Sequence, residues 1–297
     1  MRRRRSHRGI QLALGIAAGA AASFGCSSAS SPSPTEAAPH STLVAPDSAA
    51  PAPALLPAPS ASASSAPPVK PIESRTERLE VQGFAPSVVV TPSTDRRGAP
   101  LVIVGHGAGG RPEPHCERYK ELVRGRGFIL CTAGRAMDKQ LPEEERGYFY
   151  DGHHELGKEV VLALDALAKR YGDWVDLQGS IYGGYSQGAT MGILYLQQGG
   201  AVEAKTAGIL LVEGGSAEWT IGLAKKLKRE GVRRVEIVCG QTSCAKAAKM
   251  SKAWITKAEL DVATSYAEGA GHTYGGPVAP LVEQAFDRLV ADDPRWR

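Results

Sequence analysis

The chain has 297 residues, 42% of them hydrophobic and 22% charged, with a formal net charge of +4. Arg2, Arg3, Arg4, Arg5 and Arg8 supply more than all of that charge, which leaves about −1 from Cys26 onward. A nucleic-acid partner would need a basic face in the folded part, and a nearly neutral body gives no argument for one, so none is expected.

Residues 1–25, MRRRRSHRGIQLALGIAAGAAASFG, join an arginine-rich start to an apolar, small-residue stretch, the layout of a secretory signal. The apolar part is shorter than the roughly 20 residues of a membrane span. Its end, SFGC, resembles the lipobox of bacterial lipoproteins, which implies cleavage before Cys26 and diacylation of that cysteine. Gly25 and Cys26 fit the motif, whereas Ser23 stands where leucine is usual. A plain signal peptide cut nearby is the other reading. Residues 26–73 are expected to be a disordered linker. Between Pro51 and Pro68 only Leu55 and Leu56 are not Pro, Ala or Ser, too little apolar surface to drive folding. The expected product is an extracytoplasmic domain, residues 74–297. It is either held at a membrane solely by a lipid on Cys26 or released to the periplasm or medium.

The domain opens with two extended runs, LEVQGF and SVVVTP, split by Ala-Pro, which predict a hairpin. APLVIVGHGAGG is a continuous apolar run closed by glycines, a buried strand. ERYKELVRGRG has helical spacing and is expected to stop at Gly127. FILCTA is another buried strand. In ELGKEVVLALDALAKRYG, Val160, Val161, Leu164, Leu167 and Ala168 are expected on one helical face, and GSIYGGY returns to strand. ATMGILYLQ reads as helix, AGILLVEGG as strand, EWTIGLAKKLKREG as helix and RRVEIVCG as strand. AKAAKMSKAWITKAEL is then helix, VATSYAEGAG strand and PVAPLVEQAFDRLVADD the final helix. Such alternation predicts an α/β domain, a mostly parallel twisted sheet with helices on both faces. The order of elements pairs Cys116 with Cys131 and Cys239 with Cys244. An even set of four in an oxidising compartment favours disulfides over metal ligation.

In sheets of this kind ligands bind beyond the carboxyl ends of the strands. There GYSQG, residues 184–188, places Ser186 between glycines at a strand-to-helix turn, where a strained backbone exposes a nucleophile. An ordinary helix N-cap serine would not need glycine on both sides. With HGAGG, residues 106–110, earlier in the chain, the sequence resembles the α/β-hydrolase fold over residues 75–297. The flavour is that of small carboxylesterases and dienelactone-hydrolase-like enzymes. The resemblance implies a serine hydrolase in which Ser186 attacks a small carboxylic ester and the backbone amides of Ala108 and Gln187 hold the oxyanion, with no metal or organic cofactor.

The base is expected on the loop after the last strand, where GAGHTYGG supplies His272. The other histidines stand in the signal (His7), the linker (His40), the oxyanion loop (His106), a helix start (His115) and the loop YDGHHELG (His153, His154). His106, Tyr185 and His153 are expected to line the substrate cleft. A metal reading of Asp151, His153 and His154 lacks a fourth ligand. The family usually carries an aspartate after the strand RRVEIVC, yet VCGQTSCAKAA contains no carboxylate. Glu213, directly after GILLV, is the remaining candidate and keeps the order Ser, acid, His. Its plain reading is a surface acid opening a loop. A peptidase or amidase with the same triad, and a non-catalytic surface lipoprotein using the fold as a binding module, are the alternatives. The lack of a long insertion after GILLV argues against a lid for long acyl chains.

Overall fold

The computed structural model describes residues 71–297; the expected signal, Cys26 and nearly all of the linker lie outside the described residues. In chain order the domain runs β1 (Thr76–Leu79), β2 (Ser87–Val90), β3 (Leu101–Gly105), α1 (Pro112–Val123), β4 (Phe128–Cys131), β5 (Arg135–Ala136) and β6 (Tyr148–Phe149). It continues with α2 (His153–Tyr171), β7 (Ser180–Tyr185), α3 (Gln187–Tyr195), α4 (Ala201–Glu203), β8 (Thr206–Val212) and α5 (Ile221–Arg229). β9 (Arg234–Cys239), α6 (Thr242–Lys257), β10 (Asp261–Tyr266) and α7 (Ala279–Val290) complete it. Eight strands form one sheet in the order β1-β2-β4-β3-β7-β8-β9-β10, while β5 and β6 pair apart as a small hairpin. β1–β2 and β2–β4 are antiparallel and the remaining pairs of the large sheet are parallel.

Both faces of the central strands are covered, which is why their sequences are apolar without alternation. Side chains of successive strand residues point to opposite faces. Leu101 and Ile103 therefore join the core beneath α2, α3, α5 and α6, whereas Val102 and Val104 join the one beneath α1 and α7. Helix α2 buries Leu156, Val160, Ala163, Leu164 and Leu167, each worth about 1–3 kcal/mol of apolar transfer. Val161, expected on that face, is instead 42% exposed, because the stripe follows positions 156, 160, 163, 164 and 167.

Several boundaries move. β1 ends at Leu79, where the first strand was expected to begin, and Phe84 N–H closes a turn on Val81 O. Ile72 already pairs with Thr94, inside the segment expected to be linker. Helix α1 stops at Val123, before Gly127, since Arg124 (φ 52°) and Gly125 (φ 72°) turn left-handed and the Arg124 N–H caps Lys120 O. Trp219 is buried ahead of α5, which starts only after Thr220 accepts the Leu223 N–H as N-cap. The connection from β8 to α5 is short, and the long insertion falls between β4 and α2, where it carries the β5–β6 hairpin.

Candidate active site

β7 ends in the centre of the sheet and passes directly into α3, and Ser186 sits at the join with φ 51° and ψ −115°. That left-handed conformation costs a non-glycine residue on the order of 1–3 kcal/mol. The crossing is so tight that a Cβ on Gly188 would lie 2.3 Å from the Gly105 carbonyl carbon, and one on Gly184 2.5 Å from Ala189 Cα. Gly107 lies directly against the elbow, for its Cβ would come within 3.2 Å of Ser186 Cβ. Gly188 N–H donates to His106 O at 2.9 Å, tying the elbow to the loop that follows β3.

His272 stands on the loop after β10, with its side chain 42% exposed. Its Nε2 is 2.8 Å from Ser186 Oγ and its Nδ1 is 3.0 Å from Glu213 Oε2. Glu213 directly follows β8, with φ 55° and no exposed side-chain surface. Its Oε1 accepts the amides of Gly240, and of Gln241 at 3.0 Å, just beyond β9. Two amides bonded to Oε1 fix the carboxylate so that Oε2 cannot rotate away from the imidazole. The Tyr185 ring lies 5.3 Å from the His272 ring, and its hydroxyl donates to His272 O at 3.2 Å. Burial, then the Glu213 charge, pushes that phenol's pKa up.

The amides around the elbow sort by partner. Ser186 N–H goes to Val212 O, Gly188 to His106 O, Gly109 to Tyr148 O and Gly110 to Gly107 O. The Gly107, Ala108 and Gln187 amides take part in none of these bonds. Two of those three, Ala108 and Gln187, are the amides expected to hold the oxyanion.

The expected cleft residues divide. Tyr185 lies beside His272. His106 does not face the cleft: it is 1% exposed, and its ring is held between Gly107 O and Ala133 O, both at 2.8 Å. His153 is also corrected. It opens α2, with Nε2 2.6 Å from the Gln198 amide nitrogen, in a surface groove with Phe84, Tyr195 and Glu203 that contains no residue of the Ser186 cluster. Asp151, the third member of the metal reading, is paired with Arg135 at 2.7 Å. Among the described residues one trio of ligand-type side chains falls together, Glu213, Cys239 and Cys244, and its two sulfurs are joined as a disulfide. The other disulfide is Cys116–Cys131, so both expected pairs are present.

The β5–β6 hairpin was not legible as part of the site. It bonds to the oxyanion loop through Gly109 N–H to Tyr148 O and Tyr148 N–H to Gly110 O, both 2.8 Å. Behind it the Gln187 side chain accepts Tyr150 N–H at 2.9 Å and donates to Tyr150 O at 3.1 Å. The only sequence signal was the glycine at 147, where a Cβ would meet Gly109 O at 2.9 Å.

No family model matches the chain, and no curated protein matches its sequence. Solved structures do. TT1662 from Thermus thermophilus is 18% identical, with TM-score 0.52 over 74% of this chain and 99% of its own. Carboxyl esterase 2 from Tuber melanosporum is 11% identical, with TM-score 0.53 over 73% of this chain and 86% of its own. A dienelactone hydrolase from Anabaena variabilis is 15% identical, with TM-score 0.50 over 74% and 97%. The chain has the α/β-hydrolase fold. In this α/β-hydrolase domain the Ser186 cluster lies where the fold rule puts chemistry, at the carboxyl ends of β7 and β8 and the loop after β10.

Proposed function

We propose that the protein is a secreted serine hydrolase that cleaves a small carboxylic ester. The observation that carries this reading is the unbroken line Ser186 Oγ, His272 Nε2, His272 Nδ1, Glu213 Oε2, with steps of 2.8 and 3.0 Å across the ring. His272 Nε2 takes the hydroxyl proton as Ser186 Oγ attacks the ester carbon. Glu213 keeps the Nδ1–H tautomer and stabilises the imidazolium that forms. The Ala108 and Gln187 amides receive the oxyanion. As the tetrahedral adduct collapses, the imidazolium gives its proton to the departing alkoxide. Water then repeats the sequence on the acyl-enzyme and releases the acid.

Neighbours named as an esterase and a dienelactone hydrolase support ester chemistry, and the accessible His272 suits a site open to small substrates. A fluorophosphonate probe tests the nucleophile: labelling should be complete in the wild type and vanish in Ser186→Ala. Well-folded protein that takes no label would favour a binding module instead. p-Nitrophenyl esters of graded chain length then define the acyl preference, and the matching p-nitroanilides, which an esterase should leave uncut, separate esterase from amidase.

The extracytoplasmic location belongs to the same proposal. Its support is the arginine-rich, apolar start and the two disulfides. Among the described residues no helix is long and apolar enough to cross a membrane. Lipidation of Cys26 would supply two acyl chains, enough for stable attachment. The wild type should partition into detergent phase and Cys26→Ser into the aqueous phase; equal partitioning would leave ordinary secretion.

A further inference from the structure

His106 is buried directly behind the oxyanion loop, and both of its ring nitrogens face carbonyl oxygens. Nδ1 is 2.8 Å from Gly107 O and Nε2 is 2.8 Å from Ala133 O. A carbonyl can only accept, and a neutral imidazole has one N–H to give. A neutral ring would therefore hold a nitrogen lone pair against an oxygen at 2.8 Å, whereas the imidazolium satisfies both.

The counter-charge lies across a single peptide group. The Ala133–Gly134 peptide gives its oxygen to His106 and its N–H to Glu159, with Gly134 N 3.0 Å from Glu159 Oε2. Glu159, on α2, is fully buried and also accepts the Ala133 N–H at 2.6 Å. As an ionised carboxylate it is acceptor-only and offers both oxygens to these amides. A peptide polarised at both ends strengthens both bonds.

The Gly107 oxygen belongs to the same peptide as the Ala108 N–H. Carbonyl and amide point opposite ways in a trans peptide, so drawing the oxygen inward onto His106 turns the Ala108 N–H outward. We infer that His106 and Glu159 form a buried imidazolium–carboxylate pair, relayed through the Ala133–Gly134 peptide, that aims the Ala108 amide at the ester oxyanion beside Ser186. Both are positioning residues; neither touches substrate. The aiming role rests on the esterase reading, while the pair itself does not.

Other groups bear on the pair. The His115 ring is 6.0 Å from that of His106 and the Tyr150 ring 4.9 Å, Glu113 adds a favourable charge near His106, and Ser87 adjoins Glu159. Burial presses both members towards neutrality, lowering the His106 pKa and raising that of Glu159 to about 7. The bonds to two carbonyls and two amides, and the mutual attraction of the charges, act against it.

Long-range proton–nitrogen spectra of the mature full-length chain at pH 8 test the pair directly, with His106 assigned by the signals lost in His106→Asn. Two protonated ring nitrogens are expected, and a single one overturns the pair. Glu159→Gln keeps an acceptor oxygen and removes the charge. It should return His106 to one N–H and lower kcat on p-nitrophenyl acetate about tenfold to hundredfold with KM unchanged, since the oxyanion exists only beyond the ground state. An unchanged kcat in a folded variant overturns the aiming role. If that variant does not fold, the wild-type spectra decide alone. If the wild type neither cleaves esters nor takes fluorophosphonate, the esterase reading fails, and the spectra still decide the pair.

Discussion

Glu213 reaches His272 from the end of β8, a strand nearer the nucleophile than β9, after which the acid of this fold usually comes. Oε2 lies 3.0 Å from Nδ1 while Oε1 is held by the amides of Gly240 and Gln241, which begin the connection after β9. The backbone beyond β9 thus holds the acid without supplying it. Glu213→Gln keeps an oxygen for those amides but sets an NH2 against Nδ1, which favours the wrong tautomer. Turnover should fall by orders of magnitude, up to ~10⁴, with thermal unfolding little changed. Added to His272→Ala, the change should contribute little more, as for groups acting as a unit. Near-full activity of Glu213→Gln would leave a Ser186–His272 dyad.

The elbow glycines separate folding from function. In Gly188→Ala the new Cβ would meet the Gly105 backbone at 2.3 Å, so strand and helix must part and the fold should be lost or weakened by several kcal/mol. In Gly107→Ala the nearest atoms are Tyr185 Cδ1 at 3.0 Å and Ser186 Cβ at 3.2 Å, which can give by tenths of an ångström. Gly107→Ala should melt near the wild-type temperature yet lose kcat, because the loop bearing the Ala108 amide shifts. Melting curves beside initial rates check both; a Gly107→Ala enzyme with unaltered kcat would show that the loop tolerates the shift.

What was legible follows from how local each signal is. Ser186 could be read because GYSQG encodes its own strained turn, and His272 because one histidine follows the last strand. Glu213 emerged by elimination, since no acid follows β9. His106 was misread because a sequence does not say which side of a loop a ring enters. It enters the core, where a carbonyl of its own loop and one from the loop after β4 hold it. The β5–β6 hairpin was missed because its strands have two residues each and are stabilised by the oxyanion loop, not by their own pattern. His153 and His154 read as loop because the helix they open has no side-chain cap.

His115 predicts a pH dependence of stability. Burial, then the neighbouring His106, lowers its pKa to about 4, and its Nε2 is buried without a partner. The unfolded side chain titrates near 6.5. Between the two values the unfolded chain binds a proton that the native state refuses. The stability conferred by a neutral His115 is therefore complete above about pH 6.5 and is lost as pH falls towards 4, by at most about 3 kcal/mol. His115→Leu should flatten this part of the curve. Urea unfolding at several pH values between 4.5 and 7.5 measures it, and identical slopes in variant and wild type would refute the assignment.

The two disulfides should differ in what they support. Cys116–Cys131 joins α1 to β4 in the buried core and closes 15 residues, for which chain entropy gives about 3 kcal/mol. Cys239–Cys244 closes 5 residues, for which the same relation gives only about 2 kcal/mol. Between Cys239 and Cys244, however, lie Gly240 and Gln241, whose amides fix Glu213 Oε1. Opening that loop frees the carboxylate to turn from His272 while the sheet and its helices keep their packing. Replacing Cys239 and Cys244 with alanine should therefore lower kcat several-fold or more at a modest cost in melting temperature. Replacing Cys116 and Cys131 should lower the melting temperature more and leave kcat nearly intact where the protein is folded. Paired melting and kinetic measurements distinguish the two. If the Cys239/Cys244 variant keeps full turnover, Glu213 is held well enough by the strand ends alone, and the short disulfide contributes only to stability.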